Sequence, residues 1–280
     1  MKAYLFPGQG AQSVQMADEI IAAFPAARSL YEKAQTITGI DLTKLSTEQL
    51  EQTRYAQLAI VVHSVASLEK ERASELDPSP IAMAGFSLGE YTSLYAAGVV
   101  GFTDLLLLVN ERATLMQTAA ECRPGAMFAV IGLADDLIEK VLEEYPDVFP
   151  VNYNYPGQLV IAGDITAAEA AAEKLLSLGA KRAHRLIANG AFHTPHMSEA
   201  AASLRAFASG IRFSAPKSPL YSNVTASPIP EETDFPAYLQ KHMISPVQFT
   251  KEILRMRNDG YTDTIELGPG RILTGLVKKI

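Results

Sequence analysis

The sequence has only one cysteine and no apolar run of membrane-spanning length. Because Cys122 is the only cysteine among 280 residues, the chain cannot close an internal disulfide, and nothing has the Cys/His spacing of a zinc site. The longest apolar candidates, Leu105 to Val109 and Ala59 to Val62, fall short of the roughly 18 to 20 residues that cross a bilayer. The start of the chain reaches Pro7 too soon for the segments of a secretion signal. We therefore expect a cytoplasmic protein with no membrane partner.

An excess of positive charge is also lacking. Lysine and arginine number 24 against 31 aspartates and glutamates, which gives a net charge of −7. A protein that binds a phosphate backbone by general electrostatics needs a basic surface. The composition therefore argues against nucleic acid as a partner.

The distribution of apolar residues predicts an α/β fold, a parallel-sheet core with helices on both faces. Short apolar runs that end in glycine or proline alternate with longer helical stretches, the order that a sheet covered by helices requires. We expect strands at Ala3 to Phe6, Ile81 to Ala84 and Thr264 to Leu267. We expect helices at Gln57 to Lys70, Leu88 to Ala97 and Thr103 to Ala119, the second of them closed by Gly98 in a left-handed conformation.

Residues 125–188 follow a different order, which predicts an inserted ferredoxin-like βαββαβ subdomain. Its expected elements are a strand Met127 to Ile131, a helix Ala134 to Glu144, strands Val151 to Asn154 and Gln158 to Ala162, a helix Thr166 to Leu178 and a strand Arg182 to Ile187. Residues 1–124 and 189–280 would then form one large α/β catalytic domain. The join between two such units is a common place for a ligand cleft.

Gly85-Phe86-Ser87-Leu88-Gly89 follows a predicted strand and opens a predicted helix, the context of a nucleophile elbow. A Cβ atom at either glycine would clash with the neighbouring strand or helix. Ser87 would then stand at a helix N-terminus, where backbone N–H groups face a developing oxyanion. The alternative is a plain strand-to-helix turn with a capping serine, and the strand-helix context favours the nucleophile.

A serine hydroxyl needs a base, and five histidines are available. His63 lies in an apolar helix, His184 among basic residues, and His242 at a polar helix end. His193 and His196 lie in a loop where the chain returns from the small unit to the large one. Spacing alone does not separate these last two, and a metal pair is disfavoured because a third ligand is missing nearby.

Arg112 interrupts an apolar helical stripe formed by Leu105, Leu108, Val109, Leu115 and Met116. A buried, unpaired guanidinium would cost several kcal/mol, so an anion should lie opposite it. That anion is either an internal carboxylate, such as Glu90 or Glu111, or a substrate carboxylate held by two parallel hydrogen bonds. The residues alone leave both readings open.

The loop Gly8-Gln9-Gly10 after the first strand lets the backbone approach a ligand. By itself such a loop is most often only a turn. Beside a nucleophile elbow it gains meaning, because an acyl-transfer site needs a second N–H besides that of the residue after the serine, here Leu88.

Taken together, these residues resemble the malonyl-CoA:acyl carrier protein transacylases of fatty-acid synthesis and the related acyltransferase domains of polyketide synthases. The matching segments follow the order of the family along nearly the whole chain: Phe6 to Gln12, Tyr55 to Gln57, Gly85 to Tyr91, Glu111-Arg112 with Met116-Gln117, Asn154 with Pro156 to Gln158, Ala191 to Pro195, Ser245 to Gln248, and Glu266 to Gly270. A single segment of this kind arises by chance, but the ordered set is highly specific.

The resemblance implies a role for each matching residue. Ser87 is the acylated nucleophile, and His193 rather than His196 is its base. The backbone N–H groups of Gln9 and Leu88 form the oxyanion hole, and Arg112 binds the free carboxylate of malonate. The remaining implied roles are pocket residues at Gln57 and Asn154, malonyl preference through Phe192, and a main-chain carbonyl at His242 that orients the base.

The implied reaction moves a malonyl group from malonyl-CoA to an acidic acyl carrier protein through a malonyl-serine, in an enzyme that we expect to act as a monomer without metal or redox cofactor. One position departs from the family: Phe86 precedes the nucleophile where histidine is usual, which puts strict acyl selectivity in doubt. The alternatives are a polyketide acyltransferase acting in trans, an acyl-thioester hydrolase on the same scaffold, or an inactive module that docks carrier protein.

Overall fold

A computed structural model describes residues 1–74 and 81–280 of the chain. The strands are β1 (Lys2–Phe6), β2 (Ala82–Gly85), β3 (Gly125–Ile131), β4 (Val148–Tyr155), β5 (Gln158–Asp164), β6 (Arg182–Arg185) and β7 (Asp263–Glu266). The helices are α1 (Met16–Ala23), α2 (Ala27–Thr38), α3 (Thr47–Leu50), α4 (Thr53–Ser74), α5 (Leu88–Ala96), α6 (Phe102–Cys122), α7 (Asp135–Leu142), α8 (Ile165–Ser177), α9 (Ser198–Ala208), α10 (Phe235–Ile244), α11 (Phe249–Asn258) and α12 (Ile272–Val277). A short 3₁₀ helix spans Pro195–Met197.

A three-stranded parallel sheet in the order β2-β1-β7 lies at the centre of the larger unit. Side chains of β1 alternate between two cores, as the two-residue period of a strand requires. Tyr4 and Phe6 pack with helices α4, α5 and α6, whereas Ala3 and Leu5 pack with α11 and α12. The predicted α/β core with helices on both faces is therefore confirmed.

The element bounds of this unit lie close to the predicted ones. The strands agree to within a residue, while α4 begins earlier, at Thr53, and α6 continues to Cys122. Gly98 follows α5 with a φ of 76°, the left-handed conformation expected of it. Within residues 1–74 and 81–280, none of the helices combines the length and apolar character that a bilayer crossing demands.

The second sheet is antiparallel, with the strand order β4-β5-β3-β6. With α7 after β3 and α8 after β5, this is the predicted ferredoxin-like arrangement. Alternate residues of β3 face opposite ways: Phe128 and Val130 pack in a core of the small unit, while Met127 and Ala129 join the core of the large unit. The small sheet is thus covered on both faces, and one face closes the larger unit beside the end of β2.

Candidate active site

Ser87 occupies the sharp turn between β2 and α5. Its backbone has φ 51° and ψ −105°, a conformation that L-residues rarely adopt. A Cβ at Gly85 would lie 2.0 Å from the carbonyl carbon of Gly89, and one at Gly89 would lie 1.9 Å from the carbonyl oxygen of Phe6. Both glycines are therefore required by close backbone approach, for the reason that the sequence predicted.

His193 lies directly over Ser87 although 106 positions separate them in sequence. The Oγ atom of Ser87 is 2.7 Å from Nε2 of His193, and Nδ1 of the ring is 2.9 Å from the carbonyl oxygen of Ser245. His193 is 5 % exposed and also has a positive φ, 63°. The chain therefore holds this imidazole between a hydroxyl and a main-chain carbonyl.

The orienting carbonyl was expected at His242, and this expectation is wrong in position. Helix α10 ends at Ile244, and the carbonyl of His242 accepts the N–H of Ser245 in its last turn. Ser245 itself is extended, with φ −107° and ψ 150°, so its carbonyl is free to turn toward the ring. The His242 carbonyl adds only a smaller effect on the His193 pKa.

The electrostatic surroundings keep His193 neutral. Burial and, to a smaller extent, the positive charge of Arg112 lower its pKa to about 4, against the opposing effect of the backbone carbonyls. With Nδ1–H donating to Ser245, the lone pair of Nε2 faces the hydroxyl of Ser87. A neutral imidazole in this tautomer is a base aimed at a serine proton.

Arg112 is buried in the floor of the site, 1 % exposed. Its Nη1 donates to Oε1 of Gln57 at 2.5 Å, its Nη2 to Oγ of Ser87 at 3.2 Å, and its guanidinium stands 5.0 Å from the ring centre of Tyr91. Burial lowers the pKa of this arginine, with Tyr91 and Glu90 acting in the opposite direction.

Neither internal carboxylate considered for Arg112 forms an ion pair with it. The ion pairs found within residues 1–74 and 81–280 join other groups. Glu90 accepts instead from Tyr238 and from the backbone N–H of Asn223, and it affects Arg112 only from a longer range. The guanidinium is thus a buried cation whose contacts are an amide, a hydroxyl and a ring, which suits it to accept an anion from outside.

A cavity of about 460 Å³ opens over these groups. Its wall includes Gln9, Leu88, Arg112, Phe192, His193, Ser87, Phe86, Met116, Met127, Asn152, His184 and Ile187. Leu88 is the first residue of α5, so its N–H has no partner one helical turn back. The side chain of Gln9 donates to Thr53 Oγ1 at 3.2 Å, which ties the loop after β1 to helix α4.

Two expected pocket residues take other positions. Strand β4 is irregular between Pro150 and Asn152 and again between Tyr153 and Tyr155. These shifts direct Asn152 to the cavity wall, while Asn154 lies outside it with its Nδ2 donating to Gln158 Oε1 at 3.4 Å. Gln57 is fully buried and reaches the site through Arg112 rather than by lining the cavity.

The remaining histidines occupy other positions, and the ring of His242 lies 5.8 Å from that of His193, centre to centre. Nε2 of His196 is 2.7 Å from Asp147 Oδ1, which binds the loop after His193 to the small unit. His63 is buried in α4 with its Nδ1 3.3 Å from Ser67 Oγ, and His184 is exposed at the cavity mouth. In the part of the chain that the structure describes, no cluster of His, Cys, Asp and Glu side chains is suited to a metal ion.

Residues 3–279 match the acyl transferase domain family. The chain belongs to this family. Among curated relatives, malonyl CoA-acyl carrier protein transacylases from Salmonella typhimurium and Bacillus subtilis are 40% and 37% identical over 99% of this chain, covering 92% and 90% of their own lengths.

Solved structures agree with the family. A malonyl-CoA:acyl carrier protein transacylase from Xanthomonas oryzae superposes with a TM-score of 0.94 at 36% identity, over 100% of this chain and 92% of the other. A malonyl-transacylase in complex with a type II PKS acyl-carrier protein gives a TM-score of 0.94 at 35% identity, over 99% and 92%. The likeness therefore extends along both units of this acyltransferase.

Sequence reasoning missed several groups of this acyltransferase site: the Ser245 carbonyl, the ring of Tyr91, Asn152 and Asn223. The side-chain oxygen of Asn223 accepts the backbone N–H of Ser87 at 2.7 Å. Its neighbour Leu220 forms a bridge with Met83 of β2, which brings the segment alongside the elbow. Since that pairing joins segments far apart in sequence and has no motif, only the fold reveals it.

Proposed function

We propose that this chain transfers the malonyl group of malonyl-CoA to the phosphopantetheine thiol of acyl carrier protein, through a malonyl-serine at Ser87, and so supplies extender units for fatty-acid synthesis. The observation that carries the proposal is that His193 and Arg112 both contact the hydroxyl oxygen of Ser87. Oγ of Ser87 lies 2.7 Å from a neutral imidazole and 3.2 Å from a guanidinium that has no carboxylate within ion-pair distance in the described residues. The names of the relatives support the substrate and the carrier.

In the first half-reaction, Nε2 of His193 takes the proton of Ser87 as Oγ attacks the thioester carbonyl. The N–H groups of Gln9 and Leu88 stabilise the negative oxygen of the tetrahedral intermediate. When the carbon–sulfur bond breaks, His193 returns its proton to the thiolate, and coenzyme A leaves as the thiol. The malonyl group remains as an ester of Ser87.

The second half-reaction runs the same steps with a different thiol. His193 removes the proton of the phosphopantetheine thiol, the sulfur attacks the malonyl ester, and the proton returns to Ser87 as it leaves. The N–H groups of Gln9 and Leu88 again face the oxyanion. The kinetics expected of such a double displacement are ping-pong.

Arg112 selects the acyl group by charge. We assign the malonyl carboxylate to its guanidinium, in a two-point contact that Gln57 orients through Nη1. An acetyl group offers no partner and leaves the buried cation uncompensated, a penalty of about 3 kcal/mol. Phe192, which lines the cavity beside the base, bounds the space for the acyl chain and favours the smaller malonyl unit.

We further propose that residues 1–124 and 189–280 form the catalytic domain, residues 125–188 a subdomain, and that the enzyme works as a cytoplasmic monomer. The separate apolar core among α7, α8 and the small sheet supports this division. The single cysteine, Cys122, is exposed and free, which suits a reducing compartment.

The test is mass spectrometry of the intact protein after brief exposure to malonyl-CoA and acetyl-CoA, followed by holo carrier protein. We expect a malonyl adduct that disappears as the carrier gains it, and no adduct on Ser87→Ala. Adduct formation on that variant refutes the nucleophile. Release of free malonate without transfer favours a hydrolase instead, and an unlabelled wild-type chain favours an inactive docking module.

A further inference from the structure

Asn223 lies behind the nucleophile, outside the cavity, and is 1 % exposed. The segment that carries it runs parallel to β2. The N–H of Met83 donates to the carbonyl of Pro219 at 2.8 Å, and the N–H of Tyr221 donates to the carbonyl of Met83 at 2.9 Å. These two bonds are one repeat of a parallel ladder.

The next repeat of the ladder would join the backbone of residue 223 to Gly85 and Ser87. The side-chain amide of Asn223 makes both bonds in its place. Its Nδ2 donates to the carbonyl of Gly85 at 2.6 Å, and its Oδ1 accepts the N–H of Ser87 at 2.7 Å. The Asn223 side chain thus extends the pairing between its own segment and β2, at the point where β2 leads into the turn at Ser87.

The other hydrogen-bonding groups of Asn223 are engaged as well. Its backbone N–H donates to Oε2 of Glu90 at 2.7 Å, and its carbonyl accepts the N–H of Gln248 at 2.9 Å. The second proton of Nδ2 reaches Oε2 of Glu252 at 2.8 Å. These contacts fix the amide on every side, so it cannot rotate away from Ser87 without breaking buried hydrogen bonds.

Asn223 binds the backbone of Ser87, the residue in a strained conformation. Ser87 has a positive φ, which a residue other than glycine keeps only when its surroundings over-determine it. Its N–H has no helical partner, because α5 begins at the next residue. Asn223 supplies that partner and sets the direction in which Cα and Oγ project.

We propose that Asn223 is a positioning residue of the nucleophile: its amide holds the Ser87 peptide so that Oγ points at His193 and the N–H of Leu88 is left for the oxyanion. This inference rests on Ser87 being the reactive group, and it concerns the rate of acylation rather than the affinity for the acyl donor.

The hydrogen-bonding groups around residue 223 fit asparagine but not aspartate or alanine. The position needs one acceptor for Ser87 and a donor for Gly85. Asn223→Asp keeps the acceptor but turns a second oxygen toward the Gly85 carbonyl and Glu252. Asn223→Ala removes both halves of the contact.

The experiment compares Asn223→Ala and Asn223→Asp with Tyr221→Phe, which removes a hydroxyl bond to Asp259 of 2.7 Å in the same segment without touching the elbow. Three quantities are measured: the thermal midpoint, the single-turnover acylation rate with malonyl-CoA together with its KM, and the labelling rate with a fluorophosphonate, which reacts with activated serines whatever their acyl donor. We expect both Asn223 variants to lose acylation and labelling by on the order of 100-fold while KM changes less than threefold. Tyr221→Phe should stay within threefold of wild type in both rates.

Comparing Asn223→Asp with the double variant Asn223→Asp/Glu252→Gln tests the polarity of the contact. This comparison also tests the inference if Asn223→Ala fails to fold. Adding Glu252→Gln to Asn223→Asp places an amide donor where the new carboxylate needs one. We expect the double variant to regain at least tenfold of the lost labelling rate. An Asn223→Ala or Asn223→Asp protein that labels at the wild-type rate, or a double variant no faster than Asn223→Asp, overturns the inference. Wild type that reacts with fluorophosphonate but not with malonyl-CoA instead overturns the proposed function.

Discussion

Arg112 and His193 share one oxygen atom: Nη2 of the arginine lies 3.2 Å from Oγ of Ser87, and Nε2 of the histidine lies 2.7 Å from it. The guanidinium therefore stands close enough both to hold an acyl carboxylate and to depress the basicity of the imidazole. These two effects can be measured separately, because carboxylate binding depends on the acyl donor whereas the basicity of the imidazole is a property of the free enzyme.

Selectivity for malonyl should depend on Arg112. In Arg112→Ala we expect the malonyl acylation rate to fall by about 100-fold relative to the acetyl rate, because about 3 kcal/mol of carboxylate binding is lost and each 1.4 kcal/mol is tenfold. Single-turnover acylation with the two coenzyme A esters measures the ratio. Arg112→Lys keeps the charge but lacks the planar guanidinium, so its ratio of malonyl to acetyl acylation rates should lie between those of wild type and Arg112→Ala. An equal loss for both esters would mean that Arg112 is structural.

The pKa of His193 should rise when the charge of Arg112 is removed. The arginine lowers this pKa, which is about 4, so in Arg112→Ala it should move toward the ordinary 6.5. Imidazole NMR of the free enzyme follows the titration, and the acid limb of the acylation profile should shift in the same direction. Arg112→Lys is the matched control, in which the pKa should remain low. An unchanged pKa in the alanine variant would show that Arg112 does not lower it.

Glu90 should make stability depend on pH. Burial raises its pKa from 4.5 to about 7, so the folded state holds a proton that the unfolded chain loses earlier. The stability that this proton contributes is complete below pH 4.5 and is lost as the pH rises through about 7. Relative to wild type, Glu90→Gln should therefore gain on the order of 2 kcal/mol of unfolding free energy between pH 5 and pH 8.

Denaturant unfolding of both proteins across this range measures the difference. Taking the difference cancels the opposite dependence of buried His63 and His193, whose pKa values are lowered. A difference that stays constant with pH would show that Glu90 is ionised throughout.

Gly89→Ala should prevent folding of the elbow. The added Cβ would lie 1.9 Å from the Phe6 carbonyl oxygen, so β1 and α5 would have to separate. We expect denaturant unfolding to show a loss of more than about 4 kcal/mol in the free energy of unfolding, beyond the usual range of single substitutions. Gly275→Ala in helix α12 is the control: its Cβ meets nothing within 4 Å, and helix propensity predicts a gain of about 0.5 to 1 kcal/mol. A soluble, active Gly89→Ala protein would show that the elbow tolerates this shift.

Local patterns allowed much of the fold and of the site to be predicted. The glycines around Ser87, the helix after it and the βαββαβ order of residues 125–188 follow from turn chemistry and periodicity, which act over short stretches. The order of the family motifs then separated His193 from His196, which spacing did not.

The rest depends on geometry that no short pattern encodes. Strand β4 is irregular, and Asn152 rather than Asn154 lines the cavity. The carbonyl oxygen 2.9 Å from Nδ1 of His193 belongs to Ser245 rather than to His242. Asn223 comes to the elbow only because its segment pairs with β2. Each case joins residues through tertiary contacts between distant parts of the chain.

The insertion of residues 125–188 between Ser87 and His193 has a consequence for biosynthesis. A ribosome completes Ser87, its elbow and Arg112 well before it reaches His193. Under the proposed mechanism, the nascent chain therefore lacks the base for acylation until the intervening unit has been made and His193 has been placed beside Ser87.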